Sequence, residues 1–259
     1  MKTTIPLSLL LTTTSTLAAP APVPETSNTG ASFPITDLID SDLTINQYAA
    51  QLEAQKSSTP STSTPALVKR QFNGDTFNQL TDGTPCREIT LIYARGTTQD
   101  GNVGDAQSEG PTFFNALASV LGGTSRLAVQ GVDYAANVLG FLLGGDPNGV
   151  TKMKDLVNQA ATQCPSTKIV MSGYSQGAQV AQKAARDLSS TVAARVNAVL
   201  TFGDPNRDDP DYGRIPLDKT LIICHDGDNI CEGGIVISAE HRNYEIDAWN
   251  AAAWVSTKV

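Results

Sequence analysis

From residue 88 onward, short runs rich in β-branched residues alternate with stretches of helical period, and that alternation leaves few folds open. Glu88–Ala94, Arg126–Val132, Lys168–Ser172, Val196–Phe202 and Thr220–Cys224 predict five strands. Glu109–Leu121, Val150–Thr162, Gln176–Leu188 and Tyr244–Val255 predict helices. Met153, Leu156, Val157 and Ala160 share one face of the second helix, and Val180, Ala181, Ala184 and Leu188 one face of the third. Strand and helix in turn imply an α/β protein: a central, mostly parallel five-stranded sheet with helices on both faces.

The junction of the third strand and the third helix carries chemistry. Gly173-Tyr174-Ser175-Gln176-Gly177 matches the G-x-S-x-G turn. Such a turn lifts a serine hydroxyl out of the sheet edge and aims the next backbone N–H, here that of Gln176, at a developing oxyanion. The string alone is weak; its place between a strand and a helix strengthens it. An ordinary Gly-rich connection is the plainer reading. A serine hydroxyl also needs a base, and the chain has only two histidines, His225 and His241. Where this turn is used, the order along the chain is Ser, Asp/Glu, His. Asp228 followed by His241 satisfies it, with Asp226 as the second candidate acid. His225 then reads as a loop histidine beside a disulfide.

The N-terminus predicts a secretory signal over residues 1–18. Lys2 is followed by the apolar run Ile5–Leu11, too short to span a bilayer, and by small residues ending at Ala18. The tract Ser57–Pro65, SSTPSTSTP, has nothing apolar to bury, and Lys69-Arg70 follows it. Residues 19–70 therefore read as a pro-segment ending at a dibasic site, and 71–259 as the catalytic domain. Leu38, Ile39, Leu43, Ile45 and Leu52 suggest a short amphipathic helix inside the pro-segment, with an unstructured spacer as the alternative. No Asn-x-Ser/Thr sequon occurs.

Four cysteines, all after residue 70, suit an oxidising compartment and two disulfides. Three pairings are possible; the expected set is Cys86–Cys164 with Cys224–Cys231. A formal net charge of −8 with no basic stripe argues against nucleic acid as a partner. The acid-rich loop Asp204–Asp211 lacks the sixth-position Gly of an EF-hand and reads as a solvated surface turn. No metal or cofactor is expected, and the protein is expected to be a secreted, extracellular monomer without a membrane anchor.

Taken together, four motifs make the chain resemble the fungal cutinases from Cys86 to about Tyr244. They are Tyr93-Ala94-Arg95-Gly96-Thr97-Thr98 with Gly101-Asn102-Val103-Gly104, the turn at Ser175, the loop Cys224-His225-Asp226-Gly227-Asp228-Asn229-Ile230-Cys231, and His241. The resemblance implies an α/β-hydrolase fold and hydrolysis of cutin, a polyester of hydroxy fatty acids. It implies Ser175 as nucleophile, Asp228 as acid, His241 as base, and Thr97 with Gln176 as oxyanion hole. Leu139, Phe141, Leu142, Ile235 and Ile237 would line the substrate site, while strand alternation by itself places Val236 in the core. Two points depart from the family: Glu240 stands where a proline usually precedes the histidine, and Asn137 is only a loose match for an asparagine that supports the oxyanion loop. A carbohydrate acetyl esterase of the acetylxylan type is a rival reading, and a non-catalytic secreted surface protein or elicitor is another.

Overall fold

The computed structural model describes residues 30–56 and 71–259. The signal region, the Ser57–Pro65 tract and Lys69-Arg70 lie outside the described residues. Seven strands follow in chain order: β1 Phe33–Pro34, β2 Ile89–Ala94, β3 Leu127–Gly131, β4 Lys168–Tyr174, β5 Val196–Phe202, β6 Thr220–Ile223 and β7 Val236–Ile237. The helices are α1 Ile45–Lys56, α2 Glu109–Val120, α3 Val138–Leu142, α4 Pro147–Gln163, α5 Gln176–Arg186, α6 Ser190–Ala193 and α7 Ala248–Ser256.

Strands β2 to β6 form the central sheet in the order β3-β2-β4-β5-β6, and every pairing in it is parallel. Side-chain alternation divides the core. Ile89, Leu91 and Tyr93 of β2 face a cluster with Phe113, Phe114 and Leu117 of α2 and with Ala251, Ala252 and Val255 of α7. Ile92 and Ala94 face the other cluster, with Met153 and Val157 of α4 and with Val180, Ala181 and Ala184 of α5. The sheet is thus buried on both sides, which is why its strands read as continuous apolar runs. Helix α4 starts three residues before the sequence expectation. Asp146 caps it through Oδ1 to Gly149 N at 2.9 Å, and Pro147 takes the first position, where no N–H is missed. Tyr244–Asp247, expected to be helical, is a 3₁₀ turn that leads into α7.

The disulfides pair as expected, Cys86 with Cys164 and Cys224 with Cys231. Asp204 departs from expectation. It is fully buried and accepts hydrogen bonds from Gln182 Nε2, Thr201 Oγ1 and Asn206 N at 2.7–2.9 Å. Its carboxylate ties α5 to the end of β5 instead of facing solvent; the exposed part of the loop is Asp208–Asp211.

The region 30–56 is ordered and docked, so the helical reading of it holds and the spacer reading does not. Helix α1 carries Ile45 and Leu52 as expected, but Leu38 sits in a separate 3₁₀ turn, Ile35–Leu38. Strand β1 pairs antiparallel with β7, Phe33 opposite Ile237 and Pro34 opposite Val236. Phe33, Ile35, Leu38, Ile45 and Ala49 make a third apolar cluster with Val138, Phe141, Ile230 and Ile237. Residues 71–80 lie elsewhere. Phe72 packs on Phe114, and Asn78 bridges to Gln130 beside β3, so they extend the sheet's flank.

Candidate active site

Ser175 stands between β4 and α5 with φ 56° and ψ −119°, a conformation costly for a residue with a side chain. The turn can close because neither flanking glycine carries a Cβ. One on Gly173 would strike the Gly177 carbonyl, and one on Gly177 would strike the carbonyl of Ala94. Ser175 N donates to Phe202 O at 2.9 Å, which fixes the turn on the neighbouring strand.

Three loops at the C-terminal ends of parallel strands converge here. Ser175 Oγ lies 2.9 Å from His241 Nε2, and His241 Nδ1 lies 2.8 Å from Asp228 Oδ2. All three residues are 0% exposed. Asp228 Oδ1 also accepts Ile230 N–H at 2.9 Å, inside the loop closed by Cys224–Cys231. Burial alone would push this carboxyl up, but hydrogen bonds from His241, Tyr244 and Ile230 outweigh it and hold it below its ordinary value. The imidazole is clamped from outside the triad as well. The Tyr174 ring stacks on it at 5.2 Å, and the Tyr174 hydroxyl donates to the His241 carbonyl at 2.7 Å.

The loop after β2 brings Thr97 to the serine turn. Gln176 Nε2 donates to Thr97 Oγ1 at 2.9 Å and to the Asn137 carbonyl at 2.8 Å. With its oxygen accepting, the Thr97 hydroxyl keeps its own proton free to donate. Arg95 pins the loop through Gln99 O and Tyr134 O, and Gln99 binds Gly96 N and Glu109. Asn137 acts through its backbone carbonyl and caps α3 through Oδ1 to Gly140 N, so it is not a side-chain support of the oxyanion loop.

The apolar residues expected to line the site divide. Leu139, Leu142 and Ile235 are 43–63% exposed, whereas Phe141 and Ile237 are buried against residues 33–49. Val236, expected in the core, is only partly buried, and Ile237 is the buried partner. The alternation reverses because Ile237 and Phe33, its cross-strand partner, join the cluster with Val138, Phe141 and Ile230, which buries the face that carries Ile237. The segment 30–56 docks on both flanks of the serine. Ile45 N donates to Thr98 Oγ1 at 2.9 Å, next to Thr97, and Glu53 meets Arg242, next to His241, at 3.1 Å. Thr98 holds φ 62°, with its N–H on the Ala136 carbonyl.

Sequence reasoning missed Tyr174, Gly203 and Tyr244. Gly203 at φ 55° lies so close that a Cβ there would come within 2.9 Å of His241 Cε1. Tyr174 stands inside the quoted turn motif, and only the fold shows that its ring turns back onto His241. Among the described residues, no group of acidic, Cys and His side chains could hold a metal ion, and no helix is long and apolar enough to cross a membrane.

A buried serine on a strained strand-to-helix turn, hydrogen-bonded to a histidine on a carboxylate, defines an α/β serine hydrolase. The family description "Cutinase" matches residues 85–259. A cutinase of Pyricularia oryzae is 47% identical over 200 residues, 75% of this chain and 91% of that one. A cutinase of Botryotinia fuckeliana is 46% identical over 170 residues, 66% and 82% of the two chains. Among solved structures, a Trichoderma reesei cutinase in complex with a phosphonate inhibitor matches with TM-score 0.65 at 36% identity, covering 86% of each chain. This chain belongs to the cutinase family and is a serine ester hydrolase.

Proposed function

We propose that the protein hydrolyses cutin, related polyesters and short- to medium-chain esters through Ser175, His241 and Asp228. One observation carries this reading, the unbroken hydrogen-bonded line from Ser175 Oγ through the imidazole to Asp228. Ser175 attacks the ester carbonyl as His241 Nε2 takes its proton. Thr97 and the Gln176 N–H receive the oxyanion, and His241 then protonates the leaving alcohol. Water, activated by the same histidine, hydrolyses the acyl-enzyme. Asp228 fixes the imidazole tautomer and stabilises the imidazolium without taking the proton. No cofactor enters these steps. Leu139, Leu142 and Ile235, exposed beside the site, suit an acyl chain better than a charged acid.

The chain works outside the cell as a monomer. Residues 1–18 are its signal, 19–70 a pro-segment and 71–259 the catalytic domain. A zymogen-like role for the leader is supported by the docking of 30–56 on Thr98 and Arg242, the neighbours of Thr97 and His241, around a serine with no exposed surface. Cutting after Arg70 severs the covalent link between this cover and the catalytic domain, and the cover can then leave. The test is hydrolysis of p-nitrophenyl esters from acetyl to palmitoyl by the full chain and by the chain starting at Gln71, with Ser175→Ala of each. Activity peaking at butyryl to octanoyl and abolished in Ser175→Ala is expected. Activity on acetyl alone would favour a carbohydrate acetyl esterase, and activity that survives Ser175→Ala would sink the triad assignment.

A further inference from the structure

Asp228 is held by more than its histidine. Its Oδ2, the oxygen that binds His241 Nδ1, also accepts the Tyr244 hydroxyl at 2.6 Å. Tyr244 Oη in turn accepts the backbone N–H of His225 at 2.9 Å. The His225 ring lies flat against the Tyr244 ring, with centroids 4.1 Å apart and planes 16° apart. Both of its nitrogens meet acceptors: Nε2 the Asp247 carboxylate at 2.6 Å, and Nδ1 the Glu240 carbonyl at 2.9 Å. A carboxylate and a carbonyl can only accept here, so the imidazole that satisfies both carries two N–H groups and a positive charge. The hydrogen bond that His225 Nε2 donates to Asp247 favours that form and raises the His225 pKa against the opposing effect of burial. His225 is therefore more than a loop histidine shielded by a disulfide.

Packing alone does not account for Tyr244. Its ring fills the core beside Tyr174 and Phe202, a task phenylalanine would serve equally. Its hydroxyl is set between a donor and the carboxylate of the triad. Burial, first, and the adjacent Asp228 carboxylate hold the phenol proton on well beyond its ordinary range, so the group donates to Asp228 at every working pH. The charged groups facing this ring are Asp228 and Asp247 on the negative side and His225 on the positive. Glu245, next along the chain, is half-buried and sits within electrostatic reach of His225 and Asp247.

We propose that Tyr244 is a positioning residue for ester hydrolysis: its hydroxyl, braced by the His225–Asp247 pair, fixes the Asp228 carboxylate and shares the charge on the oxygen that holds His241. This rests on the assignment of Asp228 as the triad acid. No proton is transferred along the network. When the imidazole becomes cationic in the transition state, Asp228 is already fixed, so little reorganisation is needed.

The test is Tyr244→Phe in the full chain, with p-nitrophenyl butyrate as substrate and Tm as the check on folding. Turnover should fall about 10- to 100-fold, the effect of one hydrogen bond to a charged group, with KM little changed. The acidic limb of the pH–rate profile should move to higher pH, because an unshared charge on Asp228 favours the protonated imidazole. In an Asp228→Asn background, adding Tyr244→Phe should cost at most about twofold. Should Tyr244→Phe fail to fold, Asp247→Asn gives the second reading, with the limb moving in the same direction by a smaller amount. A Tyr244→Phe enzyme with wild-type turnover and an unmoved limb would overturn the proposal, as would losses that multiply in the double variant or an inert Asp247→Asn. High activity in Ser175→Ala or Asp228→Asn alone would instead overturn the triad assignment beneath it.

Discussion

Replacing Ile35 by alanine should make the full chain faster, although Ile35 belongs to no catalytic group. Its side chain has no exposed surface and packs in the cluster that joins Phe33, Leu38 and Ile45 to Phe141 and Ile237. Its N–H also donates to the Ile235 carbonyl at 2.8 Å, but that bond survives the substitution. Truncating a buried isoleucine to alanine costs about 2–5 kcal/mol. The cost falls on the docked state alone, because an undocked segment leaves residue 35 in water in either variant. At the lower bound of about 2 kcal/mol, the ratio of closed to open molecules falls about 30-fold, since about 1.4 kcal/mol is tenfold. The initial rate on dissolved p-nitrophenyl butyrate should rise by up to that factor, saturating once open molecules dominate. The chain starting at Gln71 sets the ceiling. Equal rates for Ile35→Ala and wild type, well below that ceiling and with a lowered Tm, would refute the idea that residues 30–56 gate the serine.

Gly203→Ala should lower turnover at least tenfold with a modest loss of stability, because its methyl group would press on the His241 ring and its φ of 55° disfavours any side chain; kcat measured beside Tm separates the two effects. Glu109 gives a pH prediction. It is buried on α2, and burial pushes its carboxyl up to about 8 despite the hydrogen bond from Gln99. The native state thus holds this proton more tightly than the unfolded chain, so stability is greatest below about pH 4.5 for this group and is lost as pH rises towards 8. Glu109→Gln should remove that loss and make the protein more urea-resistant at pH 8 than wild type, by an amount on the order of a few kcal/mol; a wild-type slope between pH 5 and 8 in the variant would contradict it.

What the sequence made legible follows from how locally each feature is encoded. The five sheet strands could be read because each is a continuous apolar run buried on both faces, and the serine turn because its glycines are required by the two carbonyls they pass. Asp228 and His241 emerged from chain order and from the disulfide loop. The docking of 30–56 was not legible. Phe33, Ile35 and Leu38 are spaced for neither a helix face nor a long strand, and their partners lie about a hundred or two hundred residues away in Phe141 and Ile237. The same long-range pairing set the parity of β7, so Val236 and Ile237 were exchanged. Tyr244 reads only as the start of the last helix, because nothing near it in the chain shows that its hydroxyl meets Asp228.

The pairing of β1 with β7 has a consequence should residues 19–70 be removed as proposed. A mature chain would carry a bare backbone edge at Val236–Ile237, next to the newly uncovered Val138 and Phe141. Unpaired edges beside apolar ground invite other chains to stick. On a waxy solid such adhesion helps the enzyme stay where its substrate is. Free copies in solution would be prone to the same sticking, so on the proposed reading residues 30–56 would keep the protein soluble as well as cover its serine.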